Sequence, residues 1–457
     1  MTESWEVLDQ REMPEWFQNA KFGVFIHWGP YSVPAYRSVN DEQFGSYAEW
    51  YYASVYGSYR NSGDGYHQRM YGDDTEYRDF AKWFRAELFD PDYLAGLIRD
   101  SGAKYVVLTT KHHDGYCMWP TENPHKTQWN SFETGPGRDI TGELREAAVK
   151  KGLEFGIYYS IIDWESVPSH RCDGGYFIPE KDVKKYGLSK ETYLKEVLGP
   201  QLHELVTRYE PAVIYSDGGE WDLTEEESQV RPFLSWLYNE SPVKDKVVVN
   251  DRFCREMPGQ HGDYYSTEYQ DKQIDSHPFE ESRGVGKSYG YNRAERAEDY
   301  CTSKELIREL VRVVGKGGNL LLNIGPMADG TIPVHEVERL KEIGAWLKDC
   351  GEAVYDTKPC LSDKENENPS TCRGRNRYIF LDRADAEGIY LTVPEKVTVK
   401  GVGILGVDHD CTYQSEDGRL RVRTNNPEGL YRYLERFGMI AVKLTGNDSG
   451  KEEEEKR

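Results

Sequence analysis

The sequence lacks the marks of several large protein classes. Its eight cysteines form no CxxC pair, so neither a zinc knuckle nor a thioredoxin-like site is indicated. No apolar stretch approaches the roughly 20 residues of a membrane-spanning helix. The opening MTESWEVLDQREMPEW has no basic start and no apolar run of a signal peptide. We therefore expect no membrane insertion, and either a cytoplasmic protein or a periplasmic or secreted one whose leader is absent from this sequence.

Positive charge is also scarce. The chain carries 57 basic against 79 acidic residues, a formal net charge of -22, which repels phosphate backbones and anionic lipid surfaces. Nucleic acid and membranes are therefore not expected partners. Aromatic residues are plentiful at 13%, including 33 tyrosines, and they suit either stacking on sugar rings or a packed core.

Apolar runs alternate with amphipathic stretches over the first 350 residues, the pattern of repeated βα units around a parallel sheet. Eight strands are predicted, at 22–28, 105–110, 155–160, 212–217, 246–251, 263–268, 286–291 and 319–324. Helices are predicted at 91–102, 140–152, 190–209, 303–318 and 335–351, several of them closed by a left-handed glycine such as Gly102, Gly152 or Gly315. The sequence predicts a (β/α)8-like TIM barrel over 1–355, irregular around strands five to seven, where helices are poorly marked.

After residue 355 the hydrophobic pattern of the sequence changes. Short alternating runs at 377–383, 388–393, 397–406, 420–424 and 440–446 predict antiparallel strands, so we expect a β-sandwich over 356–447 and a charged, solvated tail over 448–457. Within the barrel, two long tyrosine-rich insertions at 36–80 and 165–190 follow strand ends and are expected to overhang the barrel mouth as lids.

In a parallel barrel the carboxyl ends of the strands lie side by side around one opening, where the catalytic residues of such enzymes are found. Two strand ends supply carboxylates, Asp217 in YSDGG and Glu268 in YYSTEY. Glycoside cleavage needs such a pair, one flanking the anomeric carbon and one protonating the departing oxygen. The alternatives are structural: Asp217 as a turn former before two glycines, and Glu268 as a solvated loop acid.

Histidines end the first two strands: His27, and His112 with His113 in KHHDG. Imidazole is a common zinc ligand, but adjacent histidines on a strand point to opposite sides, so one ion rarely takes both. Hydrogen bonding to substrate hydroxyls is therefore favoured, and no metal is expected. A metal-dependent hydrolase built on these histidines and Asp217 is the competing interpretation.

Several further side chains are candidates for substrate contacts. Arg252 follows the fifth strand and offers a fixed fork for a carboxylate or a hydroxyl. Glu49 and Trp50 lie in the first insertion, and Tyr215 and Tyr289 offer aromatic walls that would suit a deoxysugar methyl group. Each has a structural alternative, as a rim salt bridge, plain surface or core packing.

Many short motifs occur together and in order along the barrel: KFGVFIHWGPYSVPA, AEWY, TTKHHDGYCMW, GPGRDITGEL, IYYSIIDW, NDRF, GYNR and NLLLNIGPMADGTIP. Together they closely resemble the α-L-fucosidases of glycoside hydrolase family 29. The resemblance implies a retaining exo-hydrolase that removes terminal α-L-fucose through a covalent fucosyl-enzyme, without metal or organic cofactor. The C-terminal region resembles the family's β-sandwich in pattern alone.

The resemblance also implies roles for single residues. Asp217 stands where the family has its nucleophile, and Glu268 resembles the acid/base position of the broad-specificity subfamily, with Glu280, Glu281 and Glu49 as the alternatives. Tyr215 departs from the tryptophan that commonly stands two residues before the nucleophile. The implied sugar contacts are His27, Glu49, Trp50, His112, His113, Tyr159, Arg252 and Tyr289, with Tyr158 replacing Tyr159 if the strand register differs by one.

Two other functions stay open on the sequence alone. One keeps the fold and mechanism but changes the sugar, for example to an α-L-galactoside, and the other is a non-catalytic carbohydrate-binding barrel. The substrate is expected to be a fucosylated oligosaccharide or glycan, but the linkage cannot be read. Large barrels often pair, so a homo-oligomer is an option that the sequence does not decide.

Overall fold

The computed structural model describes residues 2–40, 46–56, 65–167, 186–270, 277–360, 368–385, 388–392, 397–416 and 419–448. Its centre is an eight-stranded, all-parallel sheet with the hydrogen-bonded order β5-β4-β3-β2-β1-β8-β7-β6. The strands are β1 Phe22–Ile26, β2 Tyr105–Lys111, β3 Glu154–Ser160, β4 Val213–Asp217, β5 Val248–Val249, β6 Tyr265–Glu268, β7 Phe279–Gly284 and β8 Asn319–Ile324.

Helices connect these strands, as the alternating pattern predicts. They are α1 Trp5–Leu8, α2 Glu15–Ala20, α3 Tyr51–Tyr56, α4 Tyr66–Tyr71, α5 Tyr77–Trp83, α6 Pro91–Asp100, α7 Ile140–Lys150, α8 Lys190–Tyr193, α9 Gly199–Tyr209, α10 Gly219–Asp222, α11 Glu225–Ser228, α12 Val230–Asn239, α13 Ser303–Gly315 and α14 Val334–Cys350. A π-helical turn, Leu194–Leu198, joins α8 to α9. Several of these helices are amphipathic, and their apolar faces pack on the sheet.

The barrel prediction is confirmed, with two corrections. The seventh strand is Phe279–Gly284, whereas the predicted segment 286–291 is a loop. The strand FEESRG was not recognised in the sequence because Glu280, whose side chain points into the barrel, is polar. Inside the barrel Glu280 accepts a hydrogen bond from the Tyr105 hydroxyl. At the C-terminal end of α13, Gly317 rather than Gly315 has the left-handed conformation, with φ +91°.

The barrel wall closes through side chains between β5 and β6. The Val249 N–H donates to Asp263 Oδ2 at 2.8 Å, and the Asp263 N–H returns a bond to the Val249 carbonyl at 3.0 Å. One step further, Asp251 Oδ1 accepts from the Ser266 N–H at 3.0 Å. Since β5 has two residues, these carboxylates do much of the pairing that a longer strand would do with its own carbonyls. We call this junction the seam.

The C-terminal region contains two antiparallel sheets, as the alternating pattern predicts. The five-stranded sheet has the order β13-β16-β11-β10-β9 and the three-stranded sheet the order β12-β15-β14. Their strands are β9 Lys358–Pro359, β10 Ser370–Arg373, β11 Asn376–Leu381, β12 Ile389–Thr392, β13 Val397–Ile404, β14 Thr412–Glu416, β15 Arg419–Arg423 and β16 Ile440–Asp448. The sequence patterns did not single out β9, β10, β14 or the helix α15, Pro427–Phe437.

The last barrel helix contacts the C-terminal region, because the Trp346 indole of α14 donates to the Met439 carbonyl at 3.0 Å, just before β16. Within the C-terminal region, Cys360, which follows β9, is disulfide-bonded to Cys372 of β10. Among the described residues, no helix is long and apolar enough to span a bilayer. Much of the second insertion (168–185), parts of the first (41–45 and 57–64) and tail residues 449–457 lie outside the described residues.

Candidate active site

A cavity of about 810 Å³ opens at the carboxyl ends of the barrel strands. Strand ends and the first insertion line it together, which is the arrangement expected of a parallel barrel. Ten of the eleven residues predicted for the site line this cavity: His27, Glu49, Trp50, His112, His113, Tyr215, Asp217, Arg252, Glu268 and Tyr289.

Arg252 joins the two carboxylates of the predicted pair. Its Nη1 atom lies 3.2 Å from Asp217 Oδ1 and also donates a short hydrogen bond to Glu268 Oε1. Its Nε atom donates to Ser266 Oγ at 2.8 Å, which fixes the guanidinium plane. Because both carboxylate oxygens contact the same nitrogen, they are separated by no more than about 6 Å, the length of two hydrogen bonds.

Of the two adjacent tyrosines on β3, Tyr158 lines the cavity and Tyr159 does not, so the predicted position is corrected by one residue. The Tyr158 hydroxyl donates to Asp217 Oδ2 at 2.7 Å. Successive residues of a strand face opposite sides, so Tyr159 points away from the cavity, where its hydroxyl donates to Gln201 Oε1 at 2.9 Å. Asp217 thus receives one donor on each oxygen, Tyr158 on Oδ2 and Arg252 on Oδ1.

Three histidines form one wall of the cavity. Burial lowers the pKa of His27 and of His113 to about 3 and also lowers that of His112, so all three are neutral at ordinary pH. His113 Nε2 lies 3.5 Å from Asp217 Oδ2, and His112 Nδ1 is buried with no hydrogen-bond partner among the described residues. Over that part of the chain, no group of three or more His, Cys, Asp or Glu is arranged to hold a metal ion.

The first insertion contributes Glu49 and Trp50 from a 3-10 turn, Ala48–Trp50. Glu49 Oε2 accepts hydrogen bonds from the Gly290 N–H at 2.8 Å and from Ser288 Oγ at 3.0 Å. Burial raises the pKa of Glu49 to about 7 despite these donors. These bonds connect the first insertion to the loop after β7, so both segments form one side of the cavity.

Aromatic side chains complete the lining. The Tyr289 hydroxyl donates to the Ser282 carbonyl at 3.1 Å, whereas the Tyr215 hydroxyl is buried and has no partner among the described residues. The Trp221 ring lies 5.9 Å from Trp50 and 5.1 Å from His113, centroid to centroid. These rings provide apolar faces beside the carboxylates, the usual composition of a cavity that binds a small molecule.

Sequence reasoning did not single out two acidic residues that line the cavity, Asp251 and Glu220, and Glu220 has the more unusual surroundings. Its Oε1 atom lies 3.9 Å from Arg252 Nε, and its Oε2 atom is buried without a partner in the described structure. Burial, followed by repulsion from Asp217, raises its pKa well above the usual value. Its position three residues after Asp217 in a βα loop was an available signal, but neighbouring acids in DGGEWDLTEEE obscure it.

The alternative acids Glu280 and Glu281 do not line the cavity. Glu280 lies within the barrel beside Tyr105, and Glu281 faces outward, accepting from Thr267 Oγ1 and lying 3.2 Å from Arg283. Ser282 is the next residue of β7 to face the cavity. Strand alternation therefore turns Glu281 away from the cavity, whereas Glu280 faces the same side as Ser282 but lies deeper inside the barrel, beside Tyr105.

Comparisons with known proteins identify the family of the chain. The family model described as Alpha-L-fucosidase matches residues 1–352. The chain is 40% identical to "Alpha-L-fucosidase" of Dictyostelium discoideum, covering 85% of this chain and 82% of the relative. It is 38% identical to "Tissue alpha-L-fucosidase" of Homo sapiens, covering 91% and 85%.

Solved structures are similar over almost the whole chain. The Thermotoga maritima alpha-fucosidase in complex with a mechanism-based inhibitor superposes with a TM-score of 0.82 at 33% identity, covering 97% of this chain and 99% of that one. The same enzyme in complex with fucose gives a TM-score of 0.80 at 32% identity, with the same coverage. The chain therefore belongs to the α-L-fucosidases of glycoside hydrolase family 29.

Proposed function

We propose that the chain is a retaining exo-α-L-fucosidase that hydrolyses terminal α-L-fucosyl residues of fucosylated oligosaccharides or glycans. Asp217 is the nucleophile and Glu268 is the acid/base. One observation supports this most directly: a single guanidinium nitrogen of Arg252 contacts both carboxylates. Retaining glycosidases hold their two carboxyl groups about 5–5.5 Å apart, closer than inverting enzymes do, and the shared nitrogen favours the closer spacing.

In the first step, Asp217 attacks the anomeric carbon while Glu268 protonates the departing glycosidic oxygen. Tyr158 and Arg252 each donate to one oxygen of Asp217, which orients the carboxylate for attack. In the second step, Glu268 removes a proton from water, which then releases fucose with retained configuration. The attack forms a covalent fucosyl ester on Asp217, which removes the negative charge of that carboxylate. The Arg252 guanidinium then pairs with Glu268, which has lost its proton to the leaving group.

The cavity lining supports a small sugar as the occupant. Neutral histidines and Glu49 supply hydrogen-bonding groups, while Trp50, Tyr215 and Tyr289 supply apolar faces. Fucose combines ring hydroxyls with an apolar methyl group, so it matches this mixed lining. We propose a fucosylated carbohydrate as the substrate.

The decisive experiment is hydrolysis of an aryl α-L-fucoside followed by NMR. The first-formed sugar should be α-L-fucose, and a slow-reacting fluorinated fucoside should label Asp217 in a peptide map. Release of β-L-fucose, or a label on another residue, would overturn the proposal. An aryl α-L-galactoside tested in parallel is expected to react more slowly, because a polar hydroxymethyl group stands where fucose has its apolar methyl group.

The acid/base assignment needs its own variants. Glu268→Ala should retain the first step for a substrate with a good leaving group and regain turnover with azide. Glu220→Ala is the matched control, because Glu220 lies in the same cavity beside Arg252, and it should show no azide rescue. Azide rescue of Glu220→Ala in place of Glu268→Ala would transfer the acid/base role to Glu220.

A further inference from the structure

The hydrogen bonds behind His113 determine which of its nitrogens carries the proton. Ser160 Oγ lies 2.7 Å from His113 Nδ1 and 2.7 Å from the Ile162 carbonyl. A carbonyl accepts and cannot donate, so the single Ser160 proton points at Ile162. Ser160 Oγ is then the acceptor for His113, and the His113 proton is on Nδ1.

The opposite arrangement satisfies fewer groups. If Ser160 donated to His113 Nδ1, the His113 proton would be on Nε2 and would face Asp217 Oδ2 at 3.5 Å, beyond a normal hydrogen bond. The Ile162 carbonyl would then keep only the 3.5 Å contact from Lys111 Nζ. Two bonds of 2.7 Å favour the Nδ1–H form over this alternative.

His27, on the same wall, has the same arrangement with a different residue. Asn323 Nδ2 donates to the Tyr289 carbonyl at 2.6 Å, and Asn323 Oδ1 lies 2.6 Å from His27 Nδ1. Turning the amide over would place its oxygen against the Tyr289 carbonyl, so the orientation is determined. Asn323 Oδ1 is therefore an acceptor, and His27 also carries its proton on Nδ1.

We infer that Ser160 and Asn323 are positioning residues that hold His113 and His27 in the Nδ1–H form, so that each histidine offers an Nε2 lone pair to a donating sugar hydroxyl. The inference rests on the proposed sugar-binding function of the cavity. Burial lowers the pKa of both histidines to about 3, so both are neutral. Each ring then carries a single N–H proton, on either Nδ1 or Nε2.

The arrangement also protects the nucleophile. A His113 Nε2–H would point the positive end of its N–H dipole at Asp217 Oδ2 from 3.5 Å, and this oxygen already accepts from Tyr158. Such a dipole stabilises the carboxylate before attack and lowers its reactivity. With the proton held on Nδ1, His113 directs a lone pair toward the cavity and leaves Asp217 with its two existing donors.

Fluorinated ligands test the direction of these hydrogen bonds. Fucose-configured iminosugars are prepared with each ring hydroxyl replaced by hydrogen or by fluorine, and their dissociation constants are measured by calorimetry. Fluorine can accept a hydrogen bond but cannot donate one. At the hydroxyls that face His27 and His113, the fluoro and deoxy analogues should therefore bind equally weakly, about tenfold below the parent. A fluoro analogue that binds like the parent would overturn the inference.

Two variants act as controls for each other. Ser160→Ala should change the fluoro-to-deoxy affinity ratio at the hydroxyl facing His113 alone, and Asn323→Ala at the hydroxyl facing His27 alone. Ser160→Thr keeps the hydroxyl group and should restore the wild-type ratio. Equal effects of Ser160→Ala and Asn323→Ala at both hydroxyls would indicate general loosening and contradict specific positioning. Urea unfolding checks that each variant is folded.

Neutron diffraction from deuterium-exchanged crystals of the full chain reads the protons directly. Deuterium is expected on Nδ1 and not on Nε2 of both histidines. Deuterium on Nε2 in an enzyme that cleaves fucosides would refute the positioning inference alone. Failure to bind the parent iminosugar and to cleave an aryl fucoside would instead refute the proposed function, whatever the neutron map shows.

Discussion

Replacement of Tyr158 by phenylalanine removes the donor on Asp217 Oδ2 and little else. The hydroxyl lies 2.7 Å from the carboxylate, and a hydrogen bond to a charged group contributes about 1.5–3 kcal/mol. Because 1.4 kcal/mol corresponds to a factor of ten, kcat/KM should fall by roughly 10- to 100-fold as Asp217 loses part of its orientation. The assay is steady-state hydrolysis of an aryl α-L-fucoside.

Tyr159→Phe is the matched control on the same strand. It removes a buried hydroxyl of the same kind, but that hydroxyl donates to the neutral Gln201 on the far side of the strand. We expect about 1 kcal/mol lower stability in urea unfolding and kcat/KM within twofold of the wild type. If both variants lower kcat/KM equally, or if Tyr158→Phe leaves it unchanged, the assignment of Tyr158 to the nucleophile is refuted.

Three more substitutions follow from the structure. Burial raises the pKa of Glu280 from 4.5 to about 8, so the native state keeps a proton that the unfolded chain releases. As the pH rises between those two values, the wild type should therefore lose up to about 1.4 kcal/mol of stability per pH unit relative to Glu280→Gln. If the two free energies of unfolding in urea differ by the same amount at every pH, this prediction is contradicted. Tyr215→Phe removes a buried hydroxyl without a described partner, so the melting temperature should hold or rise and KM should stay unchanged. A lower melting temperature would show that the hydroxyl has a hydrogen-bond partner. Arg252→Lys replaces a fork that reaches both Asp217 and Glu268 by a point charge, and kcat/KM should fall by about 30-fold, the loss of one charge-assisted bond; full activity would show that the shared contact is dispensable.

The barrel was predictable because its parallel strands are continuous apolar runs, as in YVVLTT and NLLLNI. The seventh strand was not, because Glu280 occupies an inward position where strand patterns lead one to expect an apolar residue. Its polarity makes sense only beside the Tyr105 hydroxyl, a neighbour from a distant strand. Propensity from local sequence cannot anticipate such a partner.

Most of the predicted residues line the cavity, and one of them is displaced by a single position. Strand ends identify which segments meet at the mouth, but IYYS gives two adjacent buried tyrosines and nothing local that tells which one faces inward. The answer comes from the pairing of Tyr158 with Tyr215 on β4, which is a tertiary fact. Glu220 was missed for a related reason, because only its place beside Arg252 distinguishes it from the acids that follow.

The seam between β5 and β6 bears on the distance between the Asp217 and Glu268 carboxylates. Asp217 belongs to β4 on one side of the seam and Glu268 to β6 on the other, so the gap between the two carboxylates proposed to react crosses this junction. Asp251, Asp263 and Arg252 make hydrogen bonds across the gap, and none of the three lies within a strand. Substitution at these few positions is therefore the direct way to change the carboxylate separation, the distance that distinguishes double displacement from single displacement.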